Sequence, residues 1–306
     1  MSSPFGTAYV IVNSRAAKRV SGGRRGNLRE LLRSTGLDFE LHFTEGPGHA
    51  VTLARRAIDE GYRYLVSVGG DGTIHEVVNG MMAEEGPPNP DAVLGVISAG
   101  TGADFVRTFG LPRDPADAVE HLKGGELFII DVGRVTYTLN GETRSEYFPN
   151  IAEAGLGGDV VRRAEGLPRT LGRFRYMVAF WLTLGFCKIT EGKVTLDQRS
   201  YEGRISNVVV ANAQFFGAGM HVAPRAHPGD GKFDVLIQVG TKADYVAAIT
   251  KVYRGEHLPS PAIKEFSSKR VSVETEQPLQ MEADGEILGV TPATFEIVAG
   301  ALRLKI

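Results

Sequence analysis

The spacing of hydrophobic residues along the chain changes character near residue 130. From Ala8 to about Ile130, short β-branched runs such as AYVIVNS and YLVSVGG alternate with segments of helical spacing such as HAVTLARRAIDEGY. This alternation is typical of parallel βαβ units. It predicts a wound α/β domain with a mostly parallel sheet over residues 1–130.

Beyond Asp131, strand patterns dominate. They occur in six runs: GRVTYTL, SEYFPNIAEA, GKVTLDQ, SNVVVANAQ, KFDVLIQVG and KRVSVETE. Apolar helical stretches follow Pro168 and lie near Asp244 to Tyr253. We therefore expect a mainly antiparallel β-sandwich as the second domain, over residues 131–291. The last runs, ATFEIVAG and ALRLKI, predict a hairpin around Gly300, and we expect the tail 292–306 to return to the first domain.

Composition and charge narrow the classes of function. The chain has 306 residues, 42% of them hydrophobic, which is enough for two cores. With 34 basic and 36 acidic residues the formal charge is −2, so nucleic acid is not an expected partner and any contact with an anionic membrane must be local. The single cysteine, Cys187, excludes an internal disulfide framework and a zinc site built from paired cysteines. The N-terminus lacks the pattern of a signal peptide, and the apolar run Tyr176 to Cys187 is too short to span a membrane, so we expect a cytoplasmic protein.

A glycine-rich turn, within VSVGGDGTIHEVVNG, follows the run YLVSVGG and precedes a predicted helix. Its glycines, which allow close backbone approach, are Gly69, Gly70 and Gly72. Thr73 and Glu76 have the T-x-x-E spacing of a capping box, and the amides at such a helix start bind anions. A carboxylate there repels a phosphate unless a divalent cation lies between them, so Asp71 indicates Mg²⁺ beside a nucleotide. A turn in which Asp71 bonds its own backbone is the alternative.

A second strand-to-helix turn, AGTGADF, follows the run AVLGVIS and carries Thr101 and Asp104. Glycine turns at the carboxyl ends of neighbouring parallel strands line one crevice, which is where open α/β sheets bind ligands. Asp104 also fits the simpler interpretation of an acid in the first turn of a helix.

Five motifs lie in order along the chain. They are GGDGT at 69–73, GTGADF at 100–105, VVVANAQFFGAGMHVAP at 208–224, PGDGKFDV at 228–235 and DGE at 284–286. Together they resemble the bacterial soluble diacylglycerol kinase family of lipid kinases. GGDGT alone is also found in NAD kinases, and the downstream motifs favour a lipid kinase. That family usually has asparagine at the position of Ala103, so this chain lacks an amide beside Asp104.

The resemblance implies ATP as phosphate donor and Mg²⁺ as cofactor. The nucleotide-binding residues that it implies are Asn13, Ser14, Arg15, Thr44, Gly69, Gly70, Asp71, Gly72, Thr73, Glu76 and Thr101. Asp71 would act on Mg²⁺, with Asp104 and Asp131 as nearby catalytic acids, and Glu286 would be the general base. A solvated surface side chain is the alternative at Glu286.

The resemblance also implies a second, structural Mg²⁺ site. The side chain of Asp230 and the backbone carbonyls of His227 and Lys232 would hold it. Because Asp230 precedes a glycine, an ordinary hairpin turn is the alternative.

The activity that the resemblance implies is ATP- and Mg²⁺-dependent phosphorylation of the primary hydroxyl of a lipid such as diacylglycerol, giving phosphatidic acid. The alternatives are a superfamily kinase acting on NAD or on a sphingoid or phosphatidylglycerol-type lipid, and a non-catalytic nucleotide-binding regulator. A lipid substrate implies transient contact with the membrane surface, and a homodimer is left open. The stretch GRFRYMVAFWLTLGFC predicts either the wall of an apolar channel for lipid tails or a buried core helix.

Overall fold

The computed structural model describes residues 3–16, 26–83, 86–100, 102–171 and 174–306. The chain divides into two compact units, Met1–Asp131 with Gly300–Ile306, and Val132–Ala299. Each unit has its own hydrophobic core.

The first unit is an α/β domain with a parallel sheet. Its strands are β1 (Ala8–Val12), β2 (Phe39–Phe43), β3 (Tyr64–Gly69) and β4 (Val93–Ser98), in the order β2-β1-β3-β4. Its helices are α1 (Gly26–Ser34), α2 (His49–Asp59), α3 (Asp71–Met81), α4 (Asp104–Thr108) and α5 (Pro115–His121). Every residue of β1, β3 and β4 is buried, as expected for parallel strands covered on both faces. The predicted parallel α/β fold is confirmed.

The second unit contains a six-stranded antiparallel sheet of order β14-β13-β10-β7-β16-β17. Those strands are β7 (Ile151–Gly155), β10 (Asn207–Ala211), β13 (Phe233–Gln238), β14 (Ile263–Ser268), β16 (Gln280–Ala283) and β17 (Glu286–Val290). The remaining strands of the unit are β6 (Glu142–Phe148), β8 (Thr190–Thr195), β9 (Ser200–Ile205), β11 (Phe215–Phe216), β12 (Met220–His221) and β15 (Arg270–Thr275). Two further strands, β5 (Leu127–Leu139) and β18 (Ala293–Lys305), have residues in both units. The helices are α6 (Leu156–Glu165), α7 (Phe174–Leu184) and α8 (Lys242–Val252).

The core of the second unit confirms the predicted two-sheet domain. Val208 of β10 and Val271 of β15, which belong to different sheets, lie in one cluster of buried apolar side chains. Phe148, Phe233 and Phe295 are fully buried in the same cluster. Alternate residues of each strand therefore face a shared interior, as in a sandwich.

Two local predictions need correction. Residues 293–305 form the single strand β18 instead of a hairpin, although Gly300 has a φ of 60°. The run SEYFPNIAEA is divided between β6 and β7.

Candidate active site

The site residues predicted near the start of the chain lie where the parallel strands of the first unit end. The backbone N–H of Asn13 donates to Val68 of β3, and that of Thr44 donates to Val12 of β1. The side-chain amide of Asn13 donates to Thr73 Oγ1 at 3.0 Å. The ends of β1, β2 and β3 thus bring these residues together, at the edge where open α/β sheets bind ligands.

A hydrogen-bonded turn follows β1. The Ser14 hydroxyl donates to the carbonyl of Thr44, and the backbone N–H of Arg15 donates to Asn13 Oδ1 at 3.0 Å. The Arg15 side chain is exposed. These bonds fix the backbone of the turn and leave the guanidinium of Arg15 at the surface.

The two glycine turns touch each other. A Cβ on Gly100 would lie 2.6 Å from Gly70 Cα, and one on Gly70 would lie 3.2 Å from Gly100 Cα. A side chain at Gly100 would therefore force the turns apart. Thr101, predicted to bind nucleotide, lies outside the described residues.

Asp71 joins the same two turns through its carboxylate. Its Oδ1 accepts the backbone N–H of Phe105, in the first turn of α4, at 3.0 Å. The predicted capping box is wrong, because α3 begins one residue after Gly70 and Thr73 already lies inside it with its hydroxyl bonded to Asn13.

Glu76 is engaged by the neighbouring helix. Its two carboxylate oxygens accept the backbone N–H groups of Gly48 and Ala50 at 3.0 Å each. These are orphan donors at the start of α2, which has no cap from its own side chains. Glu76 thus holds α2 against α3, and its predicted role toward nucleotide stays a prediction.

The two further predicted acids of the first unit are buried. Asp104 is 5% exposed and Asp131 is 2% exposed. Asp131 Oδ1 accepts the backbone N–H of Gly300 at 2.7 Å. Ala103, just before Asp104, adopts the left-handed conformation with a φ of 54°, which asparagine tolerates better than alanine does.

In the second unit, Glu286 is exposed and begins β17 directly after a two-residue turn. Both turn residues, Asp284 and Gly285, have positive φ, as a type I′ hairpin requires. Asp284 Oδ1 accepts the backbone N–H groups of Asn150 and Ile151 at 3.2 and 3.0 Å. The turn that carries Glu286 is therefore anchored to the start of β7.

The predicted structural metal loop contains a tight turn. Asp230 Oδ1 accepts the backbone N–H of Lys232 at 3.0 Å, and the carbonyl of His227 accepts the N–H groups of Gly229 and Asp230. Burial, and then the charge of Asp230, raises the pKa of Asp234 to about 6. The described residues contain no cluster of three His, Cys, Asp or Glu side chains able to hold a metal. A site built from one carboxylate and two carbonyls is a different donor set, and it stays a prediction.

Helix α7 is not a buried core helix, which was one of its two predicted roles. Only Ala179, Thr183 and Leu184 of this helix are buried. Five large apolar side chains are about half exposed or more, and we call them the apolar surface: Phe174, Met177, Trp181, Leu182 and Phe186.

Two arginines lie beside the apolar surface. The guanidinium of Arg163 lies 5.5 Å from the centre of the Phe186 ring, and that of Arg175 lies 5.3 Å from the Tyr176 ring. Arg173, which the sequence also places here, lies outside the described residues. None of the described helices is both long and apolar enough to cross a bilayer.

The geometry defines a class of protein: an α/β domain with paired glycine turns at the ends of its parallel strands, in one chain with an antiparallel β domain. Residues 7–135 match the family described as "Diacylglycerol kinase catalytic domain". Residues 150–306 match "YegS C-terminal NAD kinase beta sandwich-like domain". The chain belongs to the diacylglycerol kinase family of lipid kinases.

Individual relatives agree with this assignment over most of their length. The diacylglycerol kinase of Bacillus subtilis (strain 168) is 29% identical over 94% of this chain and 92% of its own. That of Staphylococcus carnosus (strain TM300) is 27% identical over 94% and 91%. The crystal structure of a diacylglycerol kinase from Bacillus anthracis str. Sterne, at 21% identity, shares the fold with a TM-score of 0.72 over 99% of this chain and 97% of its own.

Proposed function

We propose that the protein transfers the γ-phosphoryl group of ATP to the hydroxyl of a membrane lipid, such as diacylglycerol, giving phosphatidic acid. The contact between Gly70 and Gly100 is the observation that carries this proposal. It brings together two turns at the edge of the parallel sheet, beside the N-terminus of α3, and neither has a side chain at the point of contact. Such turns let backbone amides approach phosphates closely.

In the proposed reaction, the lipid hydroxyl, Glu286 and the glycine turns each have one role. The lipid oxygen attacks the γ-phosphorus while the bond from that phosphorus to the bridging oxygen of ADP breaks. The carboxylate of Glu286 receives the proton of the hydroxyl, and ADP leaves. Backbone amides of the glycine turns hold the phosphates in line for this transfer.

One side chain of the first unit, the carboxylate of Asp71, is of the type that binds Mg²⁺. Asp71 is partly exposed beside the glycine turns, and its Oδ1 is already fixed by Phe105. Hard cations of this kind prefer carboxylate oxygens. Asp71 would hold Mg²⁺, and the buried Asp104 and Asp131 are the further catalytic acids that the family resemblance implies. When bound, Mg²⁺ supplies positive charge that offsets the charge of the phosphates.

The apolar surface supports contact with a membrane. Exposed aromatic and aliphatic side chains of α7 and of the turn after it lie beside Arg163 and Arg175. Segments that lie in the headgroup region of a membrane have this composition. We therefore propose a cytoplasmic protein that meets the bilayer transiently to reach its lipid. The double variant Trp181→Ala, Phe186→Ala should lose flotation with anionic phospholipid vesicles. Tyr253→Ala, which removes an exposed ring elsewhere in the unit, should float as the wild type does.

The direct test is a panel of acceptors with labelled ATP and Mg²⁺. Diacylglycerol, a sphingoid base, phosphatidylglycerol and NAD are each offered to the purified protein, and labelled products are separated. Label in phosphatidic acid supports the proposal. Label in another product indicates a kinase of the same superfamily that acts on that acceptor. ATP binding without transfer to any acceptor indicates a nucleotide-binding regulator.

A further inference from the structure

Two glutamates lie directly opposite each other on neighbouring strands of the six-stranded sheet. Glu153 of β7 pairs in register with Glu282 of β16. Glu282 is fully buried and Glu153 is 6% exposed. Cross-strand neighbours have Cβ atoms about 4.5–5.5 Å apart, and two buried carboxylates that close do not both ionise.

The neighbouring helix α6 packs closely against Glu153. Gly157, in the first turn of α6, lies so close that a Cβ there would be 1.3 Å from Glu153 Oε2. On the other side, the register neighbour of Glu153 is the apolar Val209. The polar partner is Asn207, whose Oδ1 accepts the N–H of Gly157 at 3.3 Å, so that its NH₂ group faces the carboxylate.

Both carboxyl groups resist ionisation. Burial raises the pKa of Glu153, against the hydrogen bond from Asn207. Burial, and then the charge of Glu153, raises the pKa of Glu282 well above its usual range, with Asp284 and Glu286 acting in the same direction.

Among the described residues, the charged side chains that shift the pKa values of the two glutamates are all acidic: the pair itself, Asp284 and Glu286. Burial keeps Tyr245 of α8 neutral by raising its pKa. On α6, Arg162 bonds Asp159 and Arg163 bonds the Thr183 hydroxyl. A proton is therefore the species that neutralises the pair.

Glu282 also holds the turn that carries the proposed base. Its Oε2 accepts the backbone N–H of Gly285 at 2.7 Å, directly before Glu286. Its Oε1 is buried and has no hydrogen-bond partner among the described residues. One carboxyl oxygen is thus fixed on the turn, and the other is available to carry a proton toward Glu153.

We propose that Glu282 is a positioning residue for Glu286. It holds the Asp284–Gly285 turn through the N–H of Gly285, and it does so as a carboxylic acid whose O–H donates to the Glu153 carboxylate. The role in positioning rests on the proposed function of Glu286, whereas the shared proton does not.

The shared proton determines whether the stability of the fold rises or falls with pH. A carboxyl pair whose pKa is raised in the folded state binds more protons when folded than when unfolded, at pH values above the ordinary carboxyl range. Stability that the pair retains in mild acid is therefore lost as the pH rises.

Glu282→Gln tests the proton. Its carbonyl can still accept from Gly285 and its NH₂ replaces the O–H, so the melting temperature should exceed that of the wild type by about 3 °C at pH 8.5 and match it at pH 5.5. At pH 7, above the raised pKa of Asp234, the infrared carbonyl band of the shared carboxylic acid proton should disappear in the same variant. Glu276→Gln, an exposed control in the same unit, should change neither.

Glu282→Met tests positioning. It keeps an apolar side chain of similar length in the buried site but leaves Gly285 without its acceptor. We expect kcat to fall about 10- to 100-fold with little change in the KM for ATP, and Glu282→Gln to restore it to within about threefold of the wild type.

The proposal of a shared proton would be wrong if the melting temperatures of the wild type and Glu282→Gln differed by the same amount at pH 5.5 and pH 8.5. It would also be wrong if a chelator abolished the pH dependence. An unchanged kcat in Glu282→Met, or an equal loss in Glu282→Gln, would overturn the positioning role. A wild type that phosphorylates no lipid would refute the proposed function. The melting and infrared measurements would still test whether Glu153 and Glu282 share a proton.

Discussion

Asp71 and Phe105 connect the two glycine turns of the first unit through one hydrogen bond of 3.0 Å, from the backbone N–H of Phe105 to the carboxylate of Asp71. The bond gives Asp71 a structural role in addition to the charge that would serve Mg²⁺. A single substitution to alanine would remove both, so the two roles need variants that separate them.

Asp71→Asn should retain the bond to Phe105 and lose the charge. We expect the melting temperature to stay within about 2 °C of the wild type. The rate of Mg²⁺-dependent phosphoryl transfer should fall by about 10²-fold or more, because charge stabilisation of the phosphates is lost. Asp71→Ala should lose the same activity and also melt earlier. An Asp71→Asn variant within a few fold of wild-type activity would remove Asp71 from the metal site.

Glu286→Gln should lower the lipid phosphorylation rate by about 10²- to 10⁴-fold, because glutamine cannot accept the proton of the hydroxyl. The affinity for ATP, measured by titration calorimetry, should remain unchanged. Glu276→Gln provides the matched control for an exposed glutamate of the same unit. Retained activity, or a joint loss of rate and ATP affinity, would contradict the role of base.

Asp230→Asn tests the proposed structural Mg²⁺ site. If Asp230 and the carbonyls of His227 and Lys232 hold the ion, a chelator should lower the melting temperature of the wild type, since a ligand that binds only the folded state stabilises it. Asp230→Asn should already melt earlier and respond little to the chelator. The control Asp59→Asn changes an exposed acid of α2 and should respond to chelator as the wild type does. Equal chelator responses in all three proteins would leave only the turn.

Glu76→Ala should destabilise the protein by about 1–2 kcal/mol, because two backbone N–H groups at the start of α2 lose their acceptor. Chemical denaturation measures this change, and Glu30→Ala, at an exposed position of α1, serves as the reference. Stability equal to that of the reference variant would show that water replaces the carboxylate at no cost.

Ala103→Asn should stabilise the protein by about 0.5–1 kcal/mol, because asparagine adopts the left-handed conformation more readily than alanine. The substitution also introduces the amide that the family resemblance leads us to expect beside Asp104. Thermal melting and the lipid kinase assay are the measurements. A lower melting temperature would mean that the amide does not fit the space beside Asp104.

The sequence was sufficient for the parallel sheet and for the glycine turn at 69–72, because both depend on patterns within a few neighbouring residues. It was misleading at Glu76, where the T-x-x-E spacing suggests a local cap. The actual partners of Glu76, Gly48 and Ala50, lie on another helix and become neighbours only when α2 packs on α3.

The same reason explains the other omissions. The sequence provides no reason for glycine at positions 157 and 158, in the first turn of α6. In the structure, Glu153 and the carbonyl of Gln280 lie where their side chains would be. The pairing of Glu153 with Glu282 depends on strand register, which no local pattern specifies. Positions determined by packing become visible only once the neighbouring element is in place.

Trp181 gives the apolar surface an optical label that needs no engineering. It is the only tryptophan of the chain, and its side chain is 48% exposed on α7. Fluorescence excited at the indole band therefore comes from this one place on the molecule. Its emission should shift to shorter wavelength when the ring leaves water for a bilayer. The unmodified protein can therefore show in real time whether α7 binds a membrane, and which lipids that binding requires.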